Sequence, residues 1–429
     1  MTMTPTRSTH PVPGVDPRTG QVGFRLDLPS PEGARIEVAV SFAPGAPDTG
    51  FGSEWALELT TYDSATGILT TRSGTTERIG ADGWPTNGTR GVRVTPAADE
   101  AGAYQVAYPD GMVEVLAPVQ GAGVLLPRQI GPGDQGLRFT YRPHGQGHAL
   151  HEITRGSRPV LRLDRAPGKV TITYPDDQAA VFTLNLDSDG RIAEVTSPWP
   201  DEPQRRFGYV KSGAVSRITT LTRTGASRDS TTSYEYELAT PGGASPRALT
   251  SREEEKGDGG QAVTVTRYSY TEPGYSGPGA PVQTQPADTF PPIGDTSYTY
   301  GSTVVETRDL TTARGKLTQT VTVTRRYDHL HRTVLEETTG AHAGVPRVVN
   351  RYLPPPANEV ITTETWTRGT ETESQETTRR FDPHGNLLEE RTSHAVTRYD
   401  YDYDDADGFP RLKSKTEILD PNATRNTAQ

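Results

Sequence analysis

Short runs in which β-branched or aromatic residues alternate with polar ones fill this chain, and clusters of Gly, Pro, Asp and Asn separate them. Period-2 alternation bounded by turn formers predicts strands joined as hairpins. Residues 169–174 (KVTITY) read as one strand, Pro175-Asp176-Asp177 as its turn, and 179–184 (AAVFTL) as the returning strand. Residues 105–108, the turn Pro109-Asp110-Gly111 and 112–116 have the same form, as do 57–62, a turn at 63–67 and 68–71. Pro presets φ at the start of such a turn and Gly supplies the positive φ needed to re-enter a strand.

Helical periodicity is scarce. Residues 251–257 (SREEEKG) are charged without an apolar face and predict a loop or hairpin tip. Residues 271–295, dense in Pro and Gly, predict an irregular surface excursion. The polar tail after Asp420 is expected to fray. Three regions follow: an N-terminal segment at 1–29, an N-terminal β region at 30–150, and a β-strip of repeats at 151–429 interrupted by the excursion.

Composition sharpens this picture. Only 32% of the 429 residues are hydrophobic, and about 38% when the 44 Gly are counted in place of the 18 Tyr, against roughly 45–50% on that second count in an ordinary domain. Such a chain is either disordered or rich in surface. The regular alternation favours sheets with wetted faces, where Thr fits the pleat and tolerates water. No apolar run approaches the ~20 residues of a membrane-spanning helix, and the Thr- and Pro-rich start lacks the apolar stretch of a Sec signal. The absence of Cys excludes disulfides, thiolate metal sites and thiol catalysis. A net charge of −10 argues against a general nucleic-acid partner.

Three segments share one form: an aromatic or Leu, then Asp, a tight turn, and an apolar–polar strand. They are Leu186-Asp187-Ser188-Asp189-Gly190-Arg191-Ile192, Tyr327-Asp328-His329-Leu330-His331-Arg332-Thr333-Val334, and Phe381-Asp382-Pro383-His384-Gly385-Asn386-Leu387. The Asp is placed to cap the turn, and Gly or its substitute to take positive φ. Tyr-x-Tyr strands recur at Tyr234/Tyr236, Tyr268/Tyr270, Tyr298/Tyr300 and Tyr399/Tyr401/Tyr403.

This form resembles the YD repeat of the RHS (rearrangement hotspot) family, which reads roughly Tyr-Asp-x-x-Gly-Arg/Asn-Leu. The start of the chain adds an ordered series: Val15-Asp16-Pro17-Arg18-Thr19-Gly20, then Leu26-Asp27-Leu28-Pro29, then Val38-Ala39-Val40-Ser41-Phe42, then Gly50-Phe51-Gly52-Ser53-Glu54-Trp55. That series is similar to the opening of large RHS proteins related to insecticidal toxin-complex components. The resemblance implies an all-β fold, a long antiparallel β-sheet strip of hairpin repeats, curved as part of a shell that encloses or docks a toxin or effector. It implies a non-enzymatic scaffold and export by a non-Sec route, to the cell surface or beyond. The expected partner is another polypeptide, either the rest of the shell or an effector, or a second copy meeting an open sheet edge. An alternative is a cell-surface adhesion or carbohydrate-binding module.

Candidate chemistry is thin. His144, His148 and His151 beside Glu152 could suggest zinc, but on a strand the first two share a face and the third opposes them. A hairpin with polar tips is expected there. Asp187-Ser188-Asp189-Gly190 resembles the start of a calcium loop, yet its twelfth position is Pro198 rather than Glu. Asp400, Asp402, Asp404, Asp405 and Asp407 read as a solvated acidic run. No Gly-x-Ser-x-Gly elbow or phosphate loop occurs, and nothing selects a carboxylate pair for glycoside hydrolysis. No catalytic, metal or cofactor residue is therefore expected. Trp55, Trp84, Trp199 and Trp366 read as packing residues, with Trp199 in Ser-Pro-Trp-Pro offering a ring for sugar under the alternative. The residues expected to matter are structural: Asp187, Gly190, Tyr327, Asp328, Phe381, Asp382 and Gly385 in the repeats, and Asp16, Pro17, Gly20, Gly50, Gly52 and Trp55 in the N-terminal series.

Overall fold

The alternating runs form strands in antiparallel ladders. A computed structural model describes residues 7–8, 14–28, 38–44, 46, 48–98, 100–131, 136–145, 147–175, 181–198, 203–212, 215–225, 228–237, 247–257, 260–271, 299–312, 315–328, 331–341, 345–353, 357–368, 370–403 and 408–419. From Arg93–Pro96 to Arg411–Leu419, each strand pairs antiparallel with the next one in the chain. This meander crosses residue 150 without a break, inside the strand Gly147–Arg155.

The hairpins read from the pattern are present. Lys169–Thr173 pairs with Val181–Leu186, Lys169 facing Asn185 and Thr173 facing Val181. Tyr104–Ala107 pairs with Val113–Pro118. The strand expected at 57–62 divides instead. Leu57 ends the strand Trp55–Leu57 of a separate three-stranded sheet with Val38–Phe42 and Arg25–Leu28, and Thr61–Asp63 starts a new hairpin with Ile68–Thr70. That hairpin continues to Thr75–Arg78 and joins the meander where Tyr62 faces Leu125.

Residues 251–257 are not a tip. They complete the strand Ala248–Gly257, and the turn lies beyond Gly257. The Glu run tolerates a strand because cations reach it from the next strand but one on either side: Arg308 lies 3.0 Å from Glu255 and Arg223 3.6 Å from Glu253. The excursion at 271–295, apart from its first residue, lies outside the described residues, as do the tail after Asp420, Trp199, and Asp404, Asp405 and Asp407.

Apolar burial is uneven along the strip. Two buried clusters contain residues between Leu26 and Leu221, and Tyr234 packs at the margin of the larger one. From Ala248 onward, the buried apolar residues among those described are Ala248, Ala262, Tyr300, Tyr327 and Phe409. The later strands are long and polar on both faces; Tyr300–Thr312 and Gly315–Tyr327 have 13 residues each. Cross-strand pairs hold them, including Arg325–Glu336 at 2.8 Å, Arg379–Glu390 at 2.6 Å and Thr307–Thr320 at 3.3 Å. The low apolar content thus belongs mainly to the second half of the strip.

Among the described residues, the sheet is open. Arg93–Pro96 ladders only with Tyr104–Ala107, and Arg411–Leu419 only with Ala395–Asp402. The all-β class and the long antiparallel strip of hairpins stand as expected. The strand pairing leaves the strip unclosed and does not by itself give the expected shell.

Candidate functional site

The singled-out residues converge on a series of acid-capped turns and on the N-terminal segments that dock against them. In the first turn the Asp187 carboxylate accepts the backbone N–H of Asp189 and of Arg191, both at 2.9 Å, and the Arg191 guanidinium at 2.8 Å. In the second, Asp328 accepts the Arg332 backbone N–H at 2.9 Å and its guanidinium at 2.8 Å. In the third, Asp382 accepts the backbone N–H of His384 and of Asn386 at 2.8 Å and the Asn386 side-chain amide at 3.0 Å. The residue three after each Asp has positive φ: Gly190 at 80°, His331 at 62° and Gly385 at 88°. His331 therefore occupies the glycine position, held by a 3.0 Å bond between its Nδ1 and the Tyr300 hydroxyl.

A register shift precedes each turn, at Asn185/Leu186, Arg326/Tyr327 and Arg380/Phe381. A bulge adds twist and re-aims the chain where the strand ends. The same shift at Glu235/Tyr236 marks a fourth unit that the sequence reading missed. Here Glu237 replaces Asp and accepts the backbone N–H of Arg247 at 3.0 Å and its guanidinium at 2.9 Å. Acid and Arg are ten residues apart here rather than four, so the usable signal was the Tyr-Glu pair and not the spacing.

Each Arg meets a Tyr from a later strand. Arg191 lies 4.6 Å from the Tyr209 ring centre, Arg247 4.8 Å from Tyr270, and Arg332 3.9 Å from Tyr352. The Tyr hydroxyl then donates to the carbonyl of the residue after the Arg: Tyr209 to Ile192 at 2.6 Å, Tyr270 to Ala248 at 2.8 Å, Tyr352 to Thr333 at 3.1 Å. Arg217 and Tyr236 repeat the arrangement, with the hydroxyl on the Ile218 carbonyl at 2.6 Å. In the last unit Tyr403 instead bonds the Asp382 carboxylate, and the Asn386 amide donates to Tyr403 at 2.9 Å. Acid, Arg and Tyr form a latch that ties a turn to the hairpin beyond it. The sequence reading had the acids and several of the tyrosines but not their pairing through Arg.

Burial opposes the charge of Asp187, but the bonds from Arg191 outweigh it and hold the carboxyl below its usual range. Asp382 behaves likewise, with Tyr403 and Asn386 overcoming burial. Burial pushes the Tyr209, Tyr236 and Tyr270 hydroxyls up, which keeps them neutral donors.

The N-terminal series docks on this framework. Asp16 closes its own turn by accepting the Arg18 N–H at 2.8 Å; Pro17 lies within that turn, and the Gly20 carbonyl accepts the Ala248 N–H at 2.7 Å. Asp48 accepts the N–H of Gly50 at 2.6 Å and of Gly52 at 3.1 Å, and the Gly50 carbonyl accepts Arg165 Nε at 2.7 Å. Ser53 N–H donates to the Gly190 carbonyl at 2.8 Å. Gly52, at φ 110°, is required there, since a Cβ would sit 2.7 Å from that carbonyl oxygen. Trp55 is fully buried against Phe24, Phe42 and Phe207, and its Nε1 donates to Tyr209 at 3.1 Å. A third dock, unforeseen from sequence, joins 84–90 to the far repeats. His384 Nδ1 lies 3.0 Å from the Gly88 carbonyl, Arg90 donates to the Gly408 carbonyl at 2.9 Å, and Trp84 packs edge-on against Phe409 at 5.1 Å.

The histidine segment folds as a hairpin, with His144 facing Gly147 and Pro143 facing His148. His144 Nε2 lies 3.1 Å from Asp48. Among the described residues, no three His, Asp or Glu side chains gather as a metal site. No protein-family model matches the chain, and no curated protein is significantly similar to it.

Proposed function

We propose that the chain is a non-enzymatic RHS-type scaffold: a section of β-wall that encloses or docks a toxin or effector polypeptide, delivered to or beyond the cell surface. The observation that carries this reading is the recurrence of one latch along the strip. Its acids, arginines and tyrosines pair with one another and with backbone, holding turns and spacing hairpins. That is the use a wall makes of polar residues. The contact of 84–90 with His384, Gly408 and Phe409 supports the same reading. Strands ~4.8 Å apart would put Arg93–Pro96 and Ala395–Asp402 on the order of 100 Å apart in a flat ribbon, so this contact supports a strip that returns toward its start. Cryo-electron microscopy of the purified chain tests the proposal. A curved wall around a solvent-filled interior is the expected image. A solid multi-domain particle or a straight ribbon would overturn it, and glycan-binding assays would then take precedence.

A further inference from the structure

The chain has a single Asn-Gly pair, Asn87-Gly88, and it lies in the loop that reaches the far repeats. Glycine has no Cβ, so nothing crowds its backbone nitrogen as it approaches the side-chain carbon of the preceding Asn. The surroundings of Asn87 act on that same carbon. Its Oδ1 accepts the Thr89 N–H at 3.0 Å and the Thr89 hydroxyl at 2.8 Å, and its Nδ2 donates to Glu77 Oε2 at 2.8 Å. Two donors on the oxygen favour negative charge developing there. Glu77 sits at the nitrogen of the amide and is only 9% exposed. Burial pushes its carboxyl up, which suits it to hold and give a proton. The strand Thr75–Arg78 is fastened to the loop, because Ile79 bridges Pro85 and the Thr86 N–H donates to the Arg78 carbonyl at 2.8 Å.

We propose that Asn87 is a site of self-modification, at which the side-chain amide is exchanged for a carboxylate and the contact with His384 is loosened. The Gly88 nitrogen gives up its proton and attacks Asn87 Cγ. The new C–N bond closes a succinimide ring as the Cγ–Nδ2 bond breaks. Nδ2 leaves as ammonia with a proton from Glu77, and the proton lost by Gly88 returns to Glu77 through solvent. Water then opens the ring at either carbonyl, giving aspartate or isoaspartate at position 87. The Gly88 N–H donates to the Pro85 carbonyl at 2.9 Å, a bond that must open first, so the conversion is slow.

Either product sets a carboxylate against Glu77 where Asn87 had placed a donor. Isoaspartate also routes the main chain through Cβ, which lengthens it by a carbon just before Gly88. The Gly88 carbonyl, 3.0 Å from His384 Nδ1, is the first group displaced. The inference rests on this contact and not on the scaffold reading, because it is read by mass at position 87 whatever the shape of the particle.

Peptide mapping by mass spectrometry of the full chain, aged in neutral buffer at physiological temperature, gives the test. Amide-to-acid conversion at position 87 is expected in the folded protein, with isoaspartate detected by enzymatic methylation. Asn185, Asn350, Asn358 and Asn386, each followed by a residue with a side chain, should stay amides over the same period. Glu77→Gln removes the proton donor and Thr89→Val the hydroxyl, and each should slow conversion roughly tenfold. A merely structural role for either residue would loosen the loop and speed conversion instead. Hydrogen exchange should quicken in the peptides carrying Gly88 and Phe409 once the chain has aged. An Asn87 that stays an amide in the folded chain while a urea-unfolded control converts would overturn the proposal. So would conversion that is unchanged or faster in both variants, or exchange at Gly88 and Phe409 that ageing leaves unaltered.

Discussion

Asp187, Asp328 and Asp382 each close a turn by the same hydrogen bonds, whatever residue fills the positive-φ position. The Asp and the turn were legible in sequence because an Asp side chain caps the backbone just ahead of it. The Arg–Tyr half of the latch was not, because those partners lie 18 to 23 residues apart, as in Arg191–Tyr209 and Arg247–Tyr270. Arg332 has the shortest cation–ring distance of these units. Arg332→Met should lower stability by about 2 kcal/mol, since it strips Asp328 of its cation and Tyr352 of its stacked group. Arg332→Lys should recover little of this, because an ammonium cannot reproduce the planar fork. Denaturant midpoints of the three proteins read the result. Acid should act on the same groups. The folded-state carboxyls of Asp187 and Asp382 titrate below their unfolded value, so their stabilisation is present above about pH 4 and is lost as pH falls through the lower folded values. Denaturant midpoints should hold from neutrality to about pH 4 and then fall; a midpoint that rises on acidification below that point would contradict the latch.

Hairpins were legible wherever alternation and turn chemistry agreed, as at Lys169–Thr173 and Val181–Leu186. They were misread where a charged run needed distant partners. The Glu253–Glu255 stretch looks like a tip in isolation and becomes a strand because Arg223 and Arg308 arrive from its flanks. The same contrast separates the two halves of the strip. Strands from Leu137–His144 to Val215–Thr224 contribute to a buried apolar cluster, whereas Gly315–Tyr327 and Glu371–Phe381 rest on ion pairs and hydroxyl pairs. Surface pairs of this kind contribute little each. Amide hydrogen exchange should therefore be slowest in the first group and faster, by local opening, in the second. Uniform protection across both would contradict the division. Between these elements, Gly52 sets the approach of the N-terminal segment to Gly190. Gly52→Ala should cost about 2 kcal/mol or more through strain and collision. It should also speed exchange at Ser53, whose N–H bonds the Gly190 carbonyl.

At the scale of the molecule, contacts of the N-terminal region with the strip include Gly52 to Trp55 at Gly190 and Tyr209, Gly20 at Ala248, and Trp84 to Arg90 at His384 to Phe409. The ordered N-terminal series named Gly20, Gly52 and Trp55 but not the residues they meet. The third was hidden, because nothing in the spacing of Trp84, Gly88 and Arg90 marks a partner some three hundred residues on. That third contact supports the proposed wall, and the absence of native Cys allows it to be tested in isolation. A Thr89→Cys/His384→Cys chain treated with a short bifunctional thiol reagent should form an intramolecular cross-link in the folded protein, lost on denaturation beforehand. A folded double variant that stays uncross-linked, or that links only between molecules, would contradict the proposed return of the strip toward its start.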